Sequence, residues 1–211
     1  QAAPLPNLFE YKRQLLQSYR PVKGTRGTVG IPMGLNFYEN LPFWHAFFTA
    51  LGYEVIVSPP STRSLYLRGQ ATIPSDTVCY PAKLMHGHID ALLRMGADTI
   101  FYPCMSYNFD EQLGDNHFNC PVVAYYPEVA AANIRPLRDV RFIYDYLDLS
   151  DPKRFAKKAV SVFRRSFDGL TAREIRSAAD AAYAEYAAYT AQVRRKGEEA
   201  LEEARRRGLP V

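Results

Sequence analysis

The segment Thr28-Val29-Gly30-Ile31-Pro32-Met33-Gly34 starts as a compact β-branched run and then turns at a proline and a glycine. This pattern is typical of a short buried strand followed by a loop. Similar apolar runs predict three further strands, at residues 54–58, 98–102 and 121–126. The chain therefore has the strands for one small sheet.

Segments with helical signals separate these strands. Helices are predicted at residues 8–19, 42–51, 61–69 and 81–95. Pro42, for example, suits a first helical turn. Short strands that alternate with helices indicate βαβ units. The sequence thus predicts an α/β fold with a mainly parallel, Rossmann-like sheet flanked by helices.

The C-terminal part of the chain is helical and strongly charged. One helix is predicted over residues 152–167, and the capping box Thr171-Ala172-Arg173-Glu174 begins a second, long helix unless Gly197 breaks it. We therefore predict an α/β domain that holds the cysteines over residues 1–150. A helical extension over residues 151–211 either packs on this domain or leads into a further one.

The composition excludes several classes of protein. The 211 residues are 47% hydrophobic and 23% charged, which is typical of a globular chain. No apolar run approaches the roughly 20 residues of a membrane-spanning helix, and no signal peptide is visible. The net charge of +4 comes from the helical extension, so nucleic-acid binding is not expected. Three cysteines suit a reducing compartment, and we expect a cytoplasmic chain that is a piece of a longer protein.

Two cysteines stand where a parallel sheet binds its ligands, at the carboxyl ends of the strands. No predicted strand is followed by a glycine-rich dinucleotide motif or a phosphate-binding loop, which argues against a nucleotide site. Cys104 directly follows the third predicted strand, and Cys79 comes just before the helix over 81–95. A helix N-terminus stabilises a thiolate, the form in which cysteine binds metals. Cys79 and Cys104 are therefore candidates for a shared metal or iron–sulfur site.

Cys120 is harder to place in this site. It precedes the predicted strand over 121–126, so a simple parallel sheet would put it at the opposite edge. It joins the other two only if the loop over 105–119 folds back or the strand is antiparallel. The cysteine spacings also lack the close CxxC pair of zinc ribbons and bacterial ferredoxins, and free cysteines often do no more than pack.

The four histidines are weaker candidates. His86 and His88 lie two residues apart on one predicted helix and face different directions, which argues against a shared metal. His45 lies among aromatic residues and is expected to be a core residue. His117, in the loop before Cys120, is a lesser candidate for a zinc ligand.

Three motifs in order resemble a known family. They are Val29-Gly30-Ile31-Pro32-Met33-Gly34-Leu35-Asn36-Phe37-Tyr38-Glu39-Asn40, then Cys79-Tyr80-Pro81-Ala82-Lys83-Leu84-Met85-His86-Gly87-His88-Ile89, then Phe101-Tyr102-Pro103-Cys104. Together they are similar to the uncharacterised domain of large proteins related to the activators of 2-hydroxyacyl-CoA dehydratases. The cysteine-bearing segments are also similar to those of the dehydratase subunits.

The resemblance implies a particular cofactor and chemistry. The dehydratase subunits hold a [4Fe–4S] cluster by three cysteines, with one iron site open. Cys79 and Cys104 match the first two of these, and Cys120 matches the activator-related domain, whereas the dehydratases take their third cysteine from a later domain. The family implies anaerobic electron transfer or radical chemistry on CoA thioesters, with ATPase activator modules of the same or a partner protein as partners.

Three hypotheses follow. In the first, Cys79, Cys104 and Cys120 hold an iron–sulfur cluster that would be lost in air, and an enzymatic role would be that of a dehydratase-like lyase or reductase. The second is a non-catalytic interaction domain with buried cysteines, and the third is a zinc-stabilised domain. In the first hypothesis, the side chains expected to shape the pocket or tune the cluster are Asp76, Tyr80, Lys83, His86, Tyr102 and Tyr107.

Overall fold

The computed structural model describes residues 5–210. Its four strands are β1 (Thr28–Ile31), β2 (Glu54–Val57), β3 (Thr99–Phe101) and β4 (Arg141–Ile143). They form one parallel sheet in the order β2-β1-β3-β4, which confirms the predicted α/β fold. Because β2 lies on one side of β1 and β3 on the other, the strand order reverses between β1 and β3. Sheets of this kind open a crevice at that point, at their carboxyl edge.

Seven α-helices flank the sheet in the described part of the chain. They are α1 (Leu8–Gln17), α2 (Phe37–Ala50), α3 (Arg63–Gly69), α4 (Tyr80–Arg94), α5 (Pro121–Asn133), α6 (Pro152–Ser166) and α7 (Ala172–Arg206). Short 3₁₀ helices, Gln70–Thr72 and Arg135–Arg138, follow α3 and α5. Within residues 5–210, no helix is both long and apolar enough to cross a membrane.

The predicted strand over 121–126 is wrong, because these residues begin helix α5. Their valines and tyrosines have high β-propensity, which favoured a strand. In the structure Pro121 lies in the first helical turn, where a backbone N–H has no helical partner in any case. Ala124, Pro127 and Ala130 are buried at helical spacing. The fourth strand is β4, a run of three residues further along the chain.

The structure also changes the predicted start of α2 and shows whether Gly197 breaks α7. Helix α2 begins at Phe37 and not at Pro42, which is buried inside the helix. The early start follows a tight turn at Leu35, whose φ of 49° is in the left-handed region, and Asn36 is the N-cap residue. Helix α7 starts at the predicted capping box and continues through Gly197 without a break. A glycine inside a helix costs about 1 kcal/mol relative to alanine, which the long helix tolerates.

The core is centred on aromatic side chains of α2. Trp44 packs on the sheet, with its ring centroid 4.5 Å from that of Phe101 in β3. Phe47 faces helix α6, with its ring centroid 4.9 Å from that of Phe163. The same hydrophobic cluster continues into α7. The C-terminal helices therefore pack on the α/β part of the chain.

Candidate functional site

Strand β3 leads directly into the first cysteine of the candidate site. Beyond the end of β3 the chain keeps pairing with the segment that follows β4. The Tyr102 N–H donates to Ile143 O at 2.9 Å, and the Cys104 N–H donates to Asp145 O at 3.1 Å. Cys104 also forms an isolated parallel bridge with Tyr146. This pairing holds Cys104, whose side chain is buried, at the carboxyl edge of the sheet.

Cys79 and Cys120 occupy equivalent positions before two helices. They are the N-cap residues of α4 and α5, and their backbone angles are nearly the same, with φ −61° and ψ 150° for Cys79 and φ −61° and ψ 154° for Cys120. Neither side chain makes a capping hydrogen bond, and both are exposed. Both sulfur atoms are therefore available to a ligand at the positive end of a helix dipole.

The charges of all three cysteines act on the buried hydroxyl of Tyr102. Burial, followed by the charges of Tyr126, Cys104, Cys120 and Cys79, raises the pKa of Tyr102 well above its usual value. A charge affects this pKa only when it lies near the hydroxyl. All three sulfur atoms are therefore within electrostatic reach of one buried oxygen.

The loop over 105–119 brings Cys120 to this edge. The Asn119 side-chain amide donates to Met105 O at 2.9 Å, and the Met105 N–H donates to Val123 O at 3.4 Å. The sequence left the position of Cys120 open, and in the structure the loop folds back and a helix, not a strand, follows Cys120. The first turn of α5 is thereby tied to the residue that follows Cys104.

The described side chains differ in how well they suit a zinc ion and an iron–sulfur cluster. Within residues 5–210, no three or more His, Cys, Asp and Glu side chains are grouped so that they could hold a metal ion. The zinc hypothesis, which needs about four ligands on one ion, gains no support from these residues. The cysteines of an iron–sulfur cluster bind separate iron atoms, so they need not meet at one point. The three free cysteines supply the type of donor that such a cluster requires.

Cys104 differs from the other two cysteines in its protonation. Burial, and then the charge of Glu128, raises the pKa of the Cys104 thiol to about 12. The thiol is therefore protonated at neutral pH. A metal bound here has to displace that proton, as thiolate coordination generally does.

His86 is connected to the cysteines through a second tyrosine. The Thr72 hydroxyl donates to Gly69 O at 2.9 Å, so it accepts from His86 Nδ1 at 2.7 Å. Nε2 of His86 then accepts from the Tyr126 hydroxyl at 2.9 Å. Burial lowers the pKa of His86 to about 4, which keeps the imidazole neutral. Burial, and then the charge of Cys79, raises the pKa of Tyr126.

The other predicted site residues lie at the rim. Lys83 Nζ donates to the backbone oxygen of Asp76 at 2.7 Å, which ties the loop before Cys79 to α4. Tyr80 is 53% exposed and Tyr107 is 39% exposed. These four side chains therefore shape the surroundings of the cysteines and do not form a buried shell.

The remaining histidines have structural partners. His88 Nδ1 lies 2.8 Å from the Ser58 hydroxyl and Nε2 lies 2.9 Å from that of Ser61. His45 Nε2 donates to a backbone oxygen at 2.9 Å, in agreement with the expectation of a core residue. His117 packs its ring against Tyr107, with the centroids 5.8 Å apart.

The sequence analysis missed two tyrosines near the cysteines. Tyr126 is a buried residue of α5, and the helical spacing from Cys120 would have indicated it if α5 had been recognised. Tyr146 lies beside Cys104 through backbone pairing between two distant segments, and its hydroxyl donates to Glu128 at 2.8 Å. No local sequence signal predicts that Tyr146 lies beside Cys104.

A comparison with the sequence profiles of protein families gives a match over most of the chain. The profile of the CoA enzyme activase uncharacterised domain (DUF2229) matches residues 28–210. No curated protein and no solved structure matches the chain. The matched region includes all three cysteines, the whole sheet and both C-terminal helices. The chain therefore belongs to the family of the CoA enzyme activase uncharacterised domain.

Proposed function

We propose that this domain binds an iron–sulfur cluster at the carboxyl edge of its sheet, through the thiolates of Cys79, Cys104 and Cys120. The observation that carries the proposal is that hydrogen bonds join the elements that bear the three cysteines. Asn119, next to Cys120, donates to Met105 O at 2.9 Å, and His86 of α4 is bonded to Tyr126 of α5 at 2.9 Å. The cysteines come from three separate elements. Two of the three, Cys79 and Cys120, are exposed, so they do not fill the core as free cysteines often do.

The three cysteines would have different tasks in binding. Cys79 and Cys120 are exposed N-cap residues, so each sulfur atom lies at the partial positive charge of a helix N-terminus. Cys104 is buried and gives up its proton when it binds iron. The rigid strand end would hold this third ligand, while the two helix starts present the others from the solvent side.

Three cysteines would leave one iron position open, and a bound cluster would supply one-electron transfer at that position. The exposed aromatic side chains Tyr80, Tyr107 and Phe118, which are 53%, 39% and 50% exposed, provide an apolar rim for an incoming group. Membership of the activase-related family supports a role in electron transfer, or in radical dehydration or reduction, of CoA thioesters. ATPase activator modules of the same or a partner protein would supply the electrons.

A non-catalytic interaction domain is the second candidate. It is favoured by the protonated, buried thiol of Cys104 and by the lack, within residues 5–210, of side chains grouped to hold a metal ion. In this case the cysteines would remain free thiols in every preparation.

Anaerobic reconstitution with iron and sulfide separates the two candidates. The wild type is compared with Cys79→Ser, Cys104→Ala and Cys120→Ser, and iron, sulfide and the EPR signal after reduction are measured. Ser106→Ala serves as the matched control, because Ser106 lies in the same loop and its side chain makes no recorded hydrogen bond to a described residue. We expect a cluster in the wild type and the control, and its loss in each cysteine variant that keeps its fold by circular dichroism. Folded wild type without iron would favour the interaction domain.

A further inference from the structure

A cavity of about 510 Å³ lies at the carboxyl ends of β1 and β2, and no cysteine of residues 5–210 lines it. Met33, just after β1, forms one part of its wall, and Val57, Ser58 and the two prolines that follow form another. A further wall comes from α1 and the turn after it, within residues 13–21. The volume is in the range of small-molecule sites, about 300–1,000 Å³.

The inner part of the cavity is apolar. Leu16 of α1 and Leu41 of α2 both line it, and they are only 5% and 1% exposed. Met33 and Val57 add partly buried apolar surface that packs on the core. The cavity can therefore take up an apolar group, and the removal of that group from water favours binding.

The outer part of the cavity is positively charged. Arg13 and Arg20 are exposed and line it, whereas no Asp or Glu of the described residues does. Arg13 is already paired with Glu10, with 2.7 Å between Nη2 and Oε1. Within residues 5–210, the guanidinium of Arg20 has no ion-pair or hydrogen-bond partner. One positive charge at the opening is therefore left for a ligand.

The walls of the cavity are held in place by the protein itself. The Ser58 hydroxyl accepts from the Met33 N–H at 2.7 Å, which joins the segments after β1 and β2. The Tyr19 hydroxyl donates to a glutamate of α7 at 2.6 Å. The backbone oxygen of Arg20 accepts from His45 Nε2 at 2.9 Å. The cavity is therefore preformed, which lowers the entropic cost of binding.

We propose that this cavity binds a monoanionic organic acid, with its apolar body against Leu16 and Leu41 and its carboxylate on the guanidinium of Arg20. A ligand with one apolar end and one anionic end matches an apolar interior with a cation at its opening. A guanidinium binds a carboxylate through two parallel hydrogen bonds. Because Arg20 alone lacks a partner, one negative charge on the ligand is favoured over two. The site needs no metal and does not depend on the proposed function.

Two related dyes separate the contribution of charge from that of apolar contact. Anilinonaphthalene sulfonate has one negative charge on an apolar aromatic body, and phenylnaphthylamine has the same ring system without the sulfonate. The fluorescence of each dye reports its binding. We expect the wild type to bind both dyes and octanoate to displace them. The anionic dye should also raise the melting temperature, because a ligand that binds the folded state stabilises it.

Substitutions in the cavity should affect the two dyes differently. Arg20→Gln should weaken binding of the anionic dye about two- to five-fold, the effect of an exposed ion pair, and leave the neutral dye unchanged. Arg176→Gln is the matched control, because Arg176 is also exposed and without a partner in the described chain but does not line the cavity. Met33→Trp, which fills the cavity, should weaken both dyes. Tyr38→Ala removes part of the same wall at a residue that is 41% exposed, and it should also weaken both.

The test is a fluorescence titration of wild type and the four variants with each dye, after circular dichroism has shown that each variant is folded. Wild type that binds neither dye would overturn the proposal. Equal weakening of the anionic dye in Arg20→Gln and Arg176→Gln would show general charge attraction and overturn it as well. Unchanged binding in Tyr38→Ala and in folded Met33→Trp would place the dyes elsewhere on the chain, with the same conclusion. A melting temperature lowered by the anionic dye would show that it binds the unfolded chain, which also contradicts a preformed site.

Discussion

Cys104 should resist alkylation in the native protein far more than in the unfolded chain. Its pKa rises from 9.0 to about 12 on folding, mainly through burial. Each pKa unit lowers the thiolate fraction at neutral pH tenfold, which gives a factor of about one thousand. The more basic thiolate is also more nucleophilic, with a Brønsted coefficient of about 0.4–0.5. Each thiolate therefore reacts about 15- to 30-fold faster, which offsets part of the loss in thiolate fraction. Ionisation alone should therefore slow the reaction about 30- to 60-fold.

Burial adds a second barrier to this reaction. The Cys104 side chain is 0% exposed, so iodoacetamide reaches it only when the strand end opens. The assay is timed labelling in native buffer and in urea, followed by peptide mass spectrometry. Cys79 and Cys120, which are exposed, serve as internal references in the same sample. A native labelling rate of Cys104 equal to its rate in urea would refute both the buried placement and the raised pKa.

The remaining predictions concern acid stability and the core. Burial lowers the pKa of His86 and of His88 to about 4, from 6.5, so the unfolded chain binds protons that the folded chain does not. Urea unfolding should therefore show a loss of stability as the pH falls from about 6.5 to about 4, by up to about 1.4 kcal/mol per pH unit for each histidine; a flat profile would contradict this. Phe47→Ala should lower the free energy of unfolding by about 3–5 kcal/mol, because Phe47 is 0% exposed. Phe9→Ala changes a residue that is 89% exposed, so it should change the free energy of unfolding by no more than about 0.5 kcal/mol. Equal losses in chemical unfolding would show that the aromatic cluster of α2 is not the core.

Much of the fold could be predicted because its signals are local. The first three strands are compact apolar runs that end in proline or glycine turns, and the structure places β1, β2 and β3 within one residue of the prediction at each end. The capping box at Thr171 and Glu174 likewise marks the start of α7, since both of its hydrogen bonds are made within four consecutive residues.

The errors came from segments in which tertiary structure decides. The residues over 121–126 have β-propensity, but a proline start and the burial of one helical face make them part of α5. Strand β4 has three residues, and its first, Arg141, is exposed, so its pairing with β3 and not its composition makes it a strand. A short edge strand of this kind gives almost no alternating pattern.

The candidate site also has parts that local sequence predicts and parts that only long-range contacts decide. The position of Cys79 before a helix and of Cys104 after a strand follows from local sequence. The position of Cys120 depends on α5 being a helix, so the error in that element left the position of Cys120 open. The partners of His86, and the lack of a partner for Tyr102 among the described residues, arise from long-range contacts that the sequence does not encode in any short motif.

Cluster binding is tested most directly by a crystal structure of anaerobically reconstituted protein, with an anomalous difference map at the iron edge. We expect strong iron peaks beside the Tyr102 hydroxyl, within bonding distance of the sulfur atoms of Cys79, Cys104 and Cys120. An ordered structure with no iron at this position, or with iron held elsewhere on the chain, would contradict the proposal that these three cysteines hold a cluster.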